Sequence, residues 1–266
     1  MNESVAPKIN ITGTGISNVT LNETMDLFDA WIQKGEKKRV CVTPVNCLVW
    51  ASNNPALKEL YNSADLTLCD GVPLIWASKL LAKNKNEILR GRVTGLDLLP
   101  QYIARCAEQG HTQFFLGAKP GIGDLLKTKS EERFPNIQIK GVYSPPFAEE
   151  FEREENEKMI ALINAAAPDI LWVSLTAPKQ DRWIAQHFDQ LNVKIAIGIG
   201  GAFEVAAGSI ERAPVWMQKN GLEWFYRFYK EPKRLFKRYV IEAPQFIPLL
   251  LQQKIMGNKR FVPKQK

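Results

Sequence analysis

This sequence of 266 residues is poor in histidine. It contains two histidines, which lie on different predicted elements, and it has no Asp-x-Asp or His-x-x-x-His spacing. We therefore predict no metal site and no bound cofactor. No Gly-x-Ser-x-Gly segment is present, which argues against Ser-His-Asp hydrolysis. The four cysteines form no Cys-x-x-Cys pair, and Cys41, Cys47 and Cys69 lie in or beside apolar runs, as buried free thiols do.

Long apolar runs are also missing. No window reaches the ~18 uncharged apolar residues that a membrane-spanning helix needs. The first ten residues, MNESVAPKIN, have neither the basic start nor the apolar stretch of a signal peptide. We therefore expect a cytoplasmic protein that could still bind a membrane surface. The hydrophobic content of 45% suffices for one large α/β domain with a substantial core.

The positive charge is concentrated at the carboxyl terminus. Residues 227–266 hold 11 Lys or Arg and two acidic residues, a local net charge of +9, whereas the net charge of the whole chain is +7. The remaining residues therefore carry a net charge of −2. Such a segment calls for an anionic partner, which could be acidic lipid, pyrophosphate or nucleic acid.

Apolar β-type runs alternate with helical patterns over the first 200 or so residues. Strands are predicted at 9–12, 39–43, 65–69, 111–116, 137–142, 169–175 and 193–199. Helices are predicted between them, including one over 147–166 and one apolar helical stretch over 48–61. Strands that are apolar throughout indicate a mainly parallel, Rossmann-like sheet with helices on both faces. We predict an α/β catalytic domain over 1–220 and a short, helical, basic appendage over 221–266.

In parallel α/β sheets, ligands bind beyond the carboxyl ends of the strands. This rule selects the loops 43–46, 69–71, 117–121, 175–180 and 198–204, and we expect them to share a cleft. Asp70 follows a predicted strand and precedes a glycine, so its carboxylate could take a proton from a substrate hydroxyl at the strand tip. Spacing alone favours the simpler interpretation, a turn-forming Asp-Gly pair.

Further polar groups lie in or near these loops. The glycines of 117–123 and 198–201 could let backbone N–H groups approach a diphosphate, although neither loop has a complete P-loop or dinucleotide fingerprint and each alone is typical of a turn. Arg90 and Arg92 could bind a phosphate, or they form a solvated surface pair. Gln180 could bind a sugar or base hydroxyl, or it is an ordinary surface residue.

Aromatic and basic residues alternate in the carboxy-terminal segment, over 224–229 and again over 233–239. This pattern suits a membrane interface, although nucleic acid or packing on the core would use the same groups. The apolar continuation over 243–257 favours the membrane. Prolines at 232, 244 and 248 predict several short helices that lie flat on the surface.

Six segments together resemble the WecG/TagA/CpsF family of bacterial glycosyltransferases, over about residues 8–240. They are ADLTLCDGVPLIWASKLL (64–81), RVTGLDLL (92–99), FFLGAKPG (114–121), PDILWVSLTAPKQDRW (168–183), GIGGAFEVAAGSIERAP (198–214) and GLEWFYRFYKEPKR (221–234). The resemblance implies inverting transfer of a sugar, often N-acetylmannosamine or its uronic acid, from a UDP donor to an undecaprenyl-diphosphate-linked saccharide, with no required metal.

The resemblance also implies roles for individual residues. Asp70 becomes the expected catalytic base. Thr43 and Gln180 are expected to bind the donor or acceptor, and Arg92 is expected in the substrate pocket. The other expected substrate-binding residues are Asn46, which follows Thr43 in the same loop, and Gly117, Lys119, Gly200 and Gly201, which belong to the glycine loops described above. The expected contacts to the acceptor diphosphate and the membrane are Arg227, Arg234, Lys237 and Arg238. The enzyme would then act in surface polysaccharide synthesis, bound peripherally at the inner face of the cell membrane.

Two other functions stay open at this point. Relatives that use UDP-glucose or UDP-N-acetylmannosaminuronate in exopolysaccharide assembly share most of these segments. A nucleotide- or RNA-binding module without catalysis would also explain the basic segment, although we expect no nucleic-acid partner. A Rossmann dehydrogenase is disfavoured because the glycine fingerprint is incomplete. A homo-oligomer is compatible with the sequence.

Overall fold

The computed structural model describes residues 6–257, which fall into two compact units. Among the described residues, the first unit takes in 6–20, 43–93 and 211–257, and the second takes in Leu21–Val42 and Thr94–Ile210. Residues 258–266 of the predicted appendage lie outside the described residues. The boundary at residue 220 between a catalytic domain and an appendage stays a prediction.

The helices and strands have the following bounds. The strands are β1 (Lys8–Ile11), β2 (Thr14–Ser17), β3 (Lys38–Pro44), β4 (Leu66–Asp70), β5 (Thr112–Gly117), β6 (Gln138–Tyr143), β7 (Ile170–Ser174) and β8 (Ile195–Gly198). The helices are α1 (Leu21–Lys34), α2 (Val45–Asn53), α3 (Pro55–Asn62), α4 (Val72–Leu81), α5 (Gly95–Gln109), α6 (Ile122–Arg133), α7 (Arg153–Ala166), α8 (Lys179–His187), α9 (Ala202–Ala206), α10 (Val215–Lys219), α11 (Glu223–Lys230), α12 (Pro232–Phe236) and α13 (Phe246–Met256).

One parallel sheet confirms the predicted α/β fold. Its six strands follow the order β4-β3-β8-β7-β5-β6, and helices flank it. In the second unit β7 pairs in parallel with β8 and with β5. Both faces of these strands are covered, which is why β7 is buried at every position and reads as a continuous apolar run.

The core of the second unit lies between strands β5, β7 and β8 and helices α7 and α8. Its buried members include Phe114, Leu116, Leu171, Val173, Ala196, Met159, Ile163, Trp183 and Ile184. Helix α7 begins at Arg153, six residues later than predicted. The segment before it has no regular secondary structure and contacts Lys179, whose Nζ donates to Ala148 O and lies over the Phe151 ring.

In the first unit, β1 and β2 form an antiparallel hairpin that the sequence analysis predicted only in part. Thr12 and Gly13 both have positive φ values, 50° and 87°, as the two central residues of a type I′ turn require. The Asn10 side chain accepts a hydrogen bond from the Gly13 N–H at 2.9 Å. Strand β2, with the sequence TGIS, is too short and too poor in apolar residues to be recognised.

Proline begins one helix and is tolerated inside another: Pro55 is the first residue of α3, and Pro248 lies within α13. The predicted helical stretch over 48–61 is divided into α2 and α3 at Asn54, whose side chain caps α3 by accepting a hydrogen bond from the Leu57 N–H at 3.0 Å. Pro248 lies within the first turn of α13 and does not interrupt it. The first four N–H groups of a helix have no partner within the helix, so proline is tolerated there.

The carboxy-terminal segment forms short helices, as predicted. After α11 and α12 comes a π-helical turn, Lys237–Glu242, then a 3₁₀ turn, Ala243–Gln245, and then α13. Helix α13 is joined to the β1–β2 turn by the buried Gln253, whose Oε1 accepts from the Thr12 N–H at 2.6 Å and whose Nε2 donates to Asn10 O at 3.0 Å. Within residues 6–257, no helix has the length and apolar character needed to span a membrane.

Candidate active site

Asp70 is the last residue of β4, and Gly71 caps the amino end of α4. Gly71 has a φ of 127°, a conformation that glycine adopts without strain. This sharp change of direction between strand and helix leaves the Asp70 side chain at the strand tip. The Val93 N–H donates to Cys69 O at 2.8 Å, which brings the segment containing Arg92 alongside this tip.

The ionisation of Asp70 reflects two opposed influences. Burial, the larger one, raises the pKa of Asp70 above its ordinary value, and the nearby Glu223 carboxylate acts in the same direction. The guanidinium groups of Arg238, Arg227 and Arg92 lower the pKa, and they do so in that order of strength. A partly desolvated carboxylate with a raised pKa is the type of group that serves as a general base.

Cys69 is adjacent to Asp70 but does not offer a nucleophile. Burial, reinforced by the Asp70 charge, raises the pKa of the Cys69 thiol to about 12. The thiol therefore stays protonated at neutral pH, and only the thiolate is strongly nucleophilic. All four cysteines are buried and form no disulfide, as predicted for Cys41, Cys47 and Cys69.

Glu223 connects two arginines of the first unit. Its Oε1 accepts from Arg212 Nε at 2.8 Å, and its Oε2 lies 3.4 Å from the second donor of Arg212. Arg92 Nη1 lies 3.7 Å from Glu223 Oε2 and 3.5 Å from Gln218 O. Glu223 was not predicted as a site residue, although it lies within the GLEW segment of the resemblance. Its importance depends on tertiary contacts that the sequence does not reveal.

The π-helical turn is held on α2. Asn46, in the first turn of α2, donates from Nδ2 to Arg238 O at 2.8 Å, and Trp50 Nε1 donates to Glu242 Oε2 at 3.2 Å. These bonds bring Arg238 to the Asp70 side of the first unit. The Nε of Arg238 is buried and has no hydrogen-bond partner among residues 6–257. The Asn46 side chain therefore hydrogen-bonds to the π-helical turn of the same chain. Its role in substrate binding stays a prediction.

The four predicted cations of the carboxy-terminal segment have different surroundings. Arg227 and Arg238 are half-buried and act on Asp70. Arg234 is exposed and pairs with Glu231, three residues earlier on the chain. The Lys237 side chain is exposed. The structure thus brings two of the four into the neighbourhood of Asp70. Thr43 is fully buried near the end of β3.

The other predicted substrate-binding residues belong to the second unit. Gly117 ends β5 with a φ of 103°, and a Cβ at this position would lie 2.4 Å from Ser174 O, so only glycine fits. Lys119, two residues later, is exposed. Gly201 caps the amino end of α9. Gly200 precedes it with a φ of 57°.

Gln180 is buried and binds the loop after β8. Its Oε1 accepts from the Gly200 N–H at 2.9 Å, while Ser174 Oγ donates to Gly200 O at 2.6 Å. A Cβ at Gly198 would lie 2.7 Å from Gln180 Nε2, so this glycine of the predicted diphosphate loop is needed for close packing against Gln180. The Gly200 N–H therefore already has a hydrogen-bond partner within the protein. The substrate roles of Gln180 and the glycine loops stay predictions.

Across the described residues 6–257, the histidine, cysteine and carboxylate side chains form no group of three or more that could hold a metal ion. The charged groups that act on Asp70 are three arginines and one glutamate. Such a site can accept a proton at Asp70 and bind anionic groups at the arginines.

The model of the glycosyl transferase WecG/TagA/CpsF family matches residues 9–260. A Staphylococcus aureus (strain MRSA252) protein named N-acetylglucosaminyldiphosphoundecaprenol N-acetyl-beta-D-mannosaminyltransferase is 27% identical over 262 residues, which is 97% of this chain and 96% of the relative.

Two Bacillus proteins with the same name are also similar. The Bacillus subtilis (strain 168) protein is 31% identical over 206 residues, covering 77% of this chain and 75% of the relative. The Bacillus spizizenii protein is 30% identical over 209 residues, covering 79% and 77%. The match to the family model spans nearly the entire chain, and the predicted family is confirmed. The chain belongs to the WecG/TagA/CpsF family and is a glycosyltransferase.

Proposed function

We propose that this protein transfers N-acetylmannosamine from a UDP donor to an N-acetylglucosamine that is linked through diphosphate to undecaprenol, for cell-surface polysaccharide synthesis. The names of the relatives support both the sugar and the lipid-linked acceptor. The single observation that carries the proposal is Asp70, a half-buried carboxyl at a strand tip on which three arginines act.

The proposed reaction is one inverting displacement. An acceptor hydroxyl oxygen attacks the anomeric carbon of the donor and forms the new glycosidic bond. Asp70 takes the hydroxyl proton as the bond from the anomeric carbon to the UDP oxygen breaks, and UDP leaves with that electron pair. A raised pKa suits this role, since a base works best when its pKa approaches the working pH.

The negative charge that develops on UDP needs fixed positive partners. Arg238 and Arg227 are suited to this task because both act on Asp70, whereas Arg234 pairs with Glu231. Arginine binds phosphate oxygens through several N–H groups at once, and preorganised charge of this type lowers the barrier without a metal. We propose Arg92 as a further contact to the substrate.

Arg238 and Arg234 provide a matched test of this assignment. Arg238→Gln should lower kcat/KM by about 100-fold, in the range seen when one transition-state donor is removed. Arg234→Gln, on the same segment, should lower it far less. Equal losses in both variants would contradict the role of Arg238 and would indicate a general effect of charge on the segment.

The donor is tested with a panel of UDP-sugars. UDP-N-acetylmannosamine should raise the melting temperature and should be consumed only when a polyprenyl-diphosphate-linked N-acetylglucosamine is present, because a ligand that binds only the folded state stabilises it. Consumption of UDP-glucose or UDP-N-acetylmannosaminuronate in its place would assign the protein to exopolysaccharide assembly with a different sugar.

We also propose peripheral binding to the inner face of the cell membrane. Large apolar side chains are exposed along the segment from Val215 to Met256, including Trp216, Trp224 and Phe225. Basic residues lie between them, as expected for contact with anionic headgroups. Sedimentation with anionic and with neutral vesicles tests this binding, which should be stronger with the anionic ones.

A further inference from the structure

Helix α13 carries its apolar side chains on the outside. Ile247, Leu251 and Ile255 are spaced by four residues, so they form one row along the helix, and they are 60%, 51% and 85% exposed. The side that faces the protein holds Phe246 and the fully buried Gln253, whose amide is bonded to the β1–β2 turn. A helix on a water-exposed surface has the reverse arrangement, with polar residues outside.

Helix α4 presents a similar row. Trp76 and Leu80, again four residues apart, are 60% and 43% exposed. Helix α13 packs against α4, and Lys254 Nζ donates to Leu80 O at 2.5 Å. The two apolar rows therefore lie on neighbouring helices of the first unit. Helix α4 lies far from the basic segment in the sequence.

We propose that α4 and α13 together form one membrane-embedded face, with Trp76 and Leu80 entering the lipid beside the row of α13. This inference rests on the proposed function insofar as the acceptor is lipid-linked. It extends the membrane contact from the carboxy-terminal segment to the helix that begins directly after the Asp70-Gly71 turn.

The charges on the two helices favour lipid over a second copy of the chain. Lys79 and Lys254 are the ionisable residues of α4 and α13, and both are exposed. Pairing of this face with itself would place like charges together, whereas the phosphates of an anionic bilayer complement them. The indole of Trp76 suits the headgroup region, where aromatic side chains with one polar atom concentrate.

The arrangement has a consequence for catalysis. Leu80 follows Asp70 by ten residues, nearly all of them in α4. With a rise of about 1.5 Å per residue, the helix spans roughly 15 Å. A membrane contact along α4 would therefore hold the Asp70 carboxylate within about that distance of the lipid surface. That is the region in which a lipid-linked diphosphate presents its sugar.

The test uses the full chain, vesicles of phosphatidylglycerol and phosphatidylethanolamine without acceptor, and the double variant Trp76→Ser/Leu80→Gln. We expect at least about tenfold weaker partitioning onto the vesicles, since two apolar side chains no longer leave water. The matched control is Phe147→Ser/Leu162→Gln, which removes exposed apolar groups from the second unit and should bind vesicles like the wild type.

Two further readouts separate the alternatives. Brominated lipid should quench the tryptophan fluorescence of the wild type more than that of Trp76→Phe, because Trp76 itself enters the bilayer. The double variant should transfer sugar to a water-soluble, short-chain acceptor at the wild-type rate. This assay tests the proposed transferase activity separately from the proposed membrane contact, which the vesicle assay tests. Unchanged partitioning in the double variant, or the loss of a dimer with vesicle binding intact, would overturn the proposal.

Discussion

Replacing Glu223 by Gln removes a buried negative charge while it preserves the shape of the side chain. Glu223 accepts from Arg212 Nε at 2.8 Å and lies 3.4 Å from a second Arg212 donor. Hydrogen bonds to charged groups contribute about 1 kcal/mol more than neutral ones, so two weakened bonds should cost about 2 kcal/mol. In a chain of this size the melting temperature should fall by about 4–8 °C.

The same variant should change the pH dependence of activity in a defined direction. The Glu223 carboxylate raises the pKa of Asp70, so the pKa of Asp70 should fall in Glu223→Gln. The acidic limb of the pH profile of kcat/KM reports the pKa of the base in the free enzyme, and it should move to lower pH. Arg238→Gln should move it to higher pH, since that guanidinium lowers the pKa of Asp70.

The assay measures kcat/KM for both variants and the wild type across the acidic range, together with their melting temperatures. A merely structural role for Glu223 would lower the melting temperature and leave the acidic limb in place. If the limb moves in the same direction in Glu223→Gln and Arg238→Gln, the electrostatic account of Asp70 is wrong.

Three further variants test the structure. Asp70→Asn should raise the melting temperature at neutral pH. The pKa of Asp70 is higher in the folded than in the unfolded chain, so the free energy of unfolding falls as pH rises from about 3.8 through the folded-state pKa. An amide does not ionise, so the variant does not lose this stability. Burial lowers the pKa of His111, so as pH falls this histidine is protonated in the unfolded chain before it is protonated in the folded one. The free energy of unfolding should therefore fall as pH drops below about 6.5, and it should fall less in His111→Gln. Gly117→Ala should destabilise the fold by about 3 kcal/mol, measured by urea denaturation, because its Cβ would meet Ser174 O at 2.4 Å.

The parts of the fold that were predictable from sequence are those whose signal is local. Strands such as β7 are buried on both faces, and the continuous apolar run follows from that burial. Strand β2 was missed because its pairing depends on the Thr12-Gly13 turn rather than on its own composition. Helix α7 was predicted six residues too long because the alanine and glutamates of 147–152 favour helix, whereas the contacts of this segment with Lys179 are not visible in the sequence.

The candidate site was less predictable, since it depends on residues that are distant along the chain. Asp70 was singled out by its position after a strand, and only the family resemblance favoured catalysis over a turn. Glu223, Trp50 and Glu242 were missed because their partners are known only once the chain is folded. The excess charge of the carboxy-terminal segment was evident, whereas the docking of α13 through Gln253 was not.

The central claim is that Asp70 is the base in transfer of a sugar to a lipid-linked acceptor. The most direct measurement compares wild type and Asp70→Asn for UDP release and for product on a polyprenyl-diphosphate-linked N-acetylglucosamine. We expect the variant to remain folded, to bind UDP, and to turn over about 100- to 10,000-fold more slowly. Undiminished turnover by a folded Asp70→Asn variant would contradict the claim.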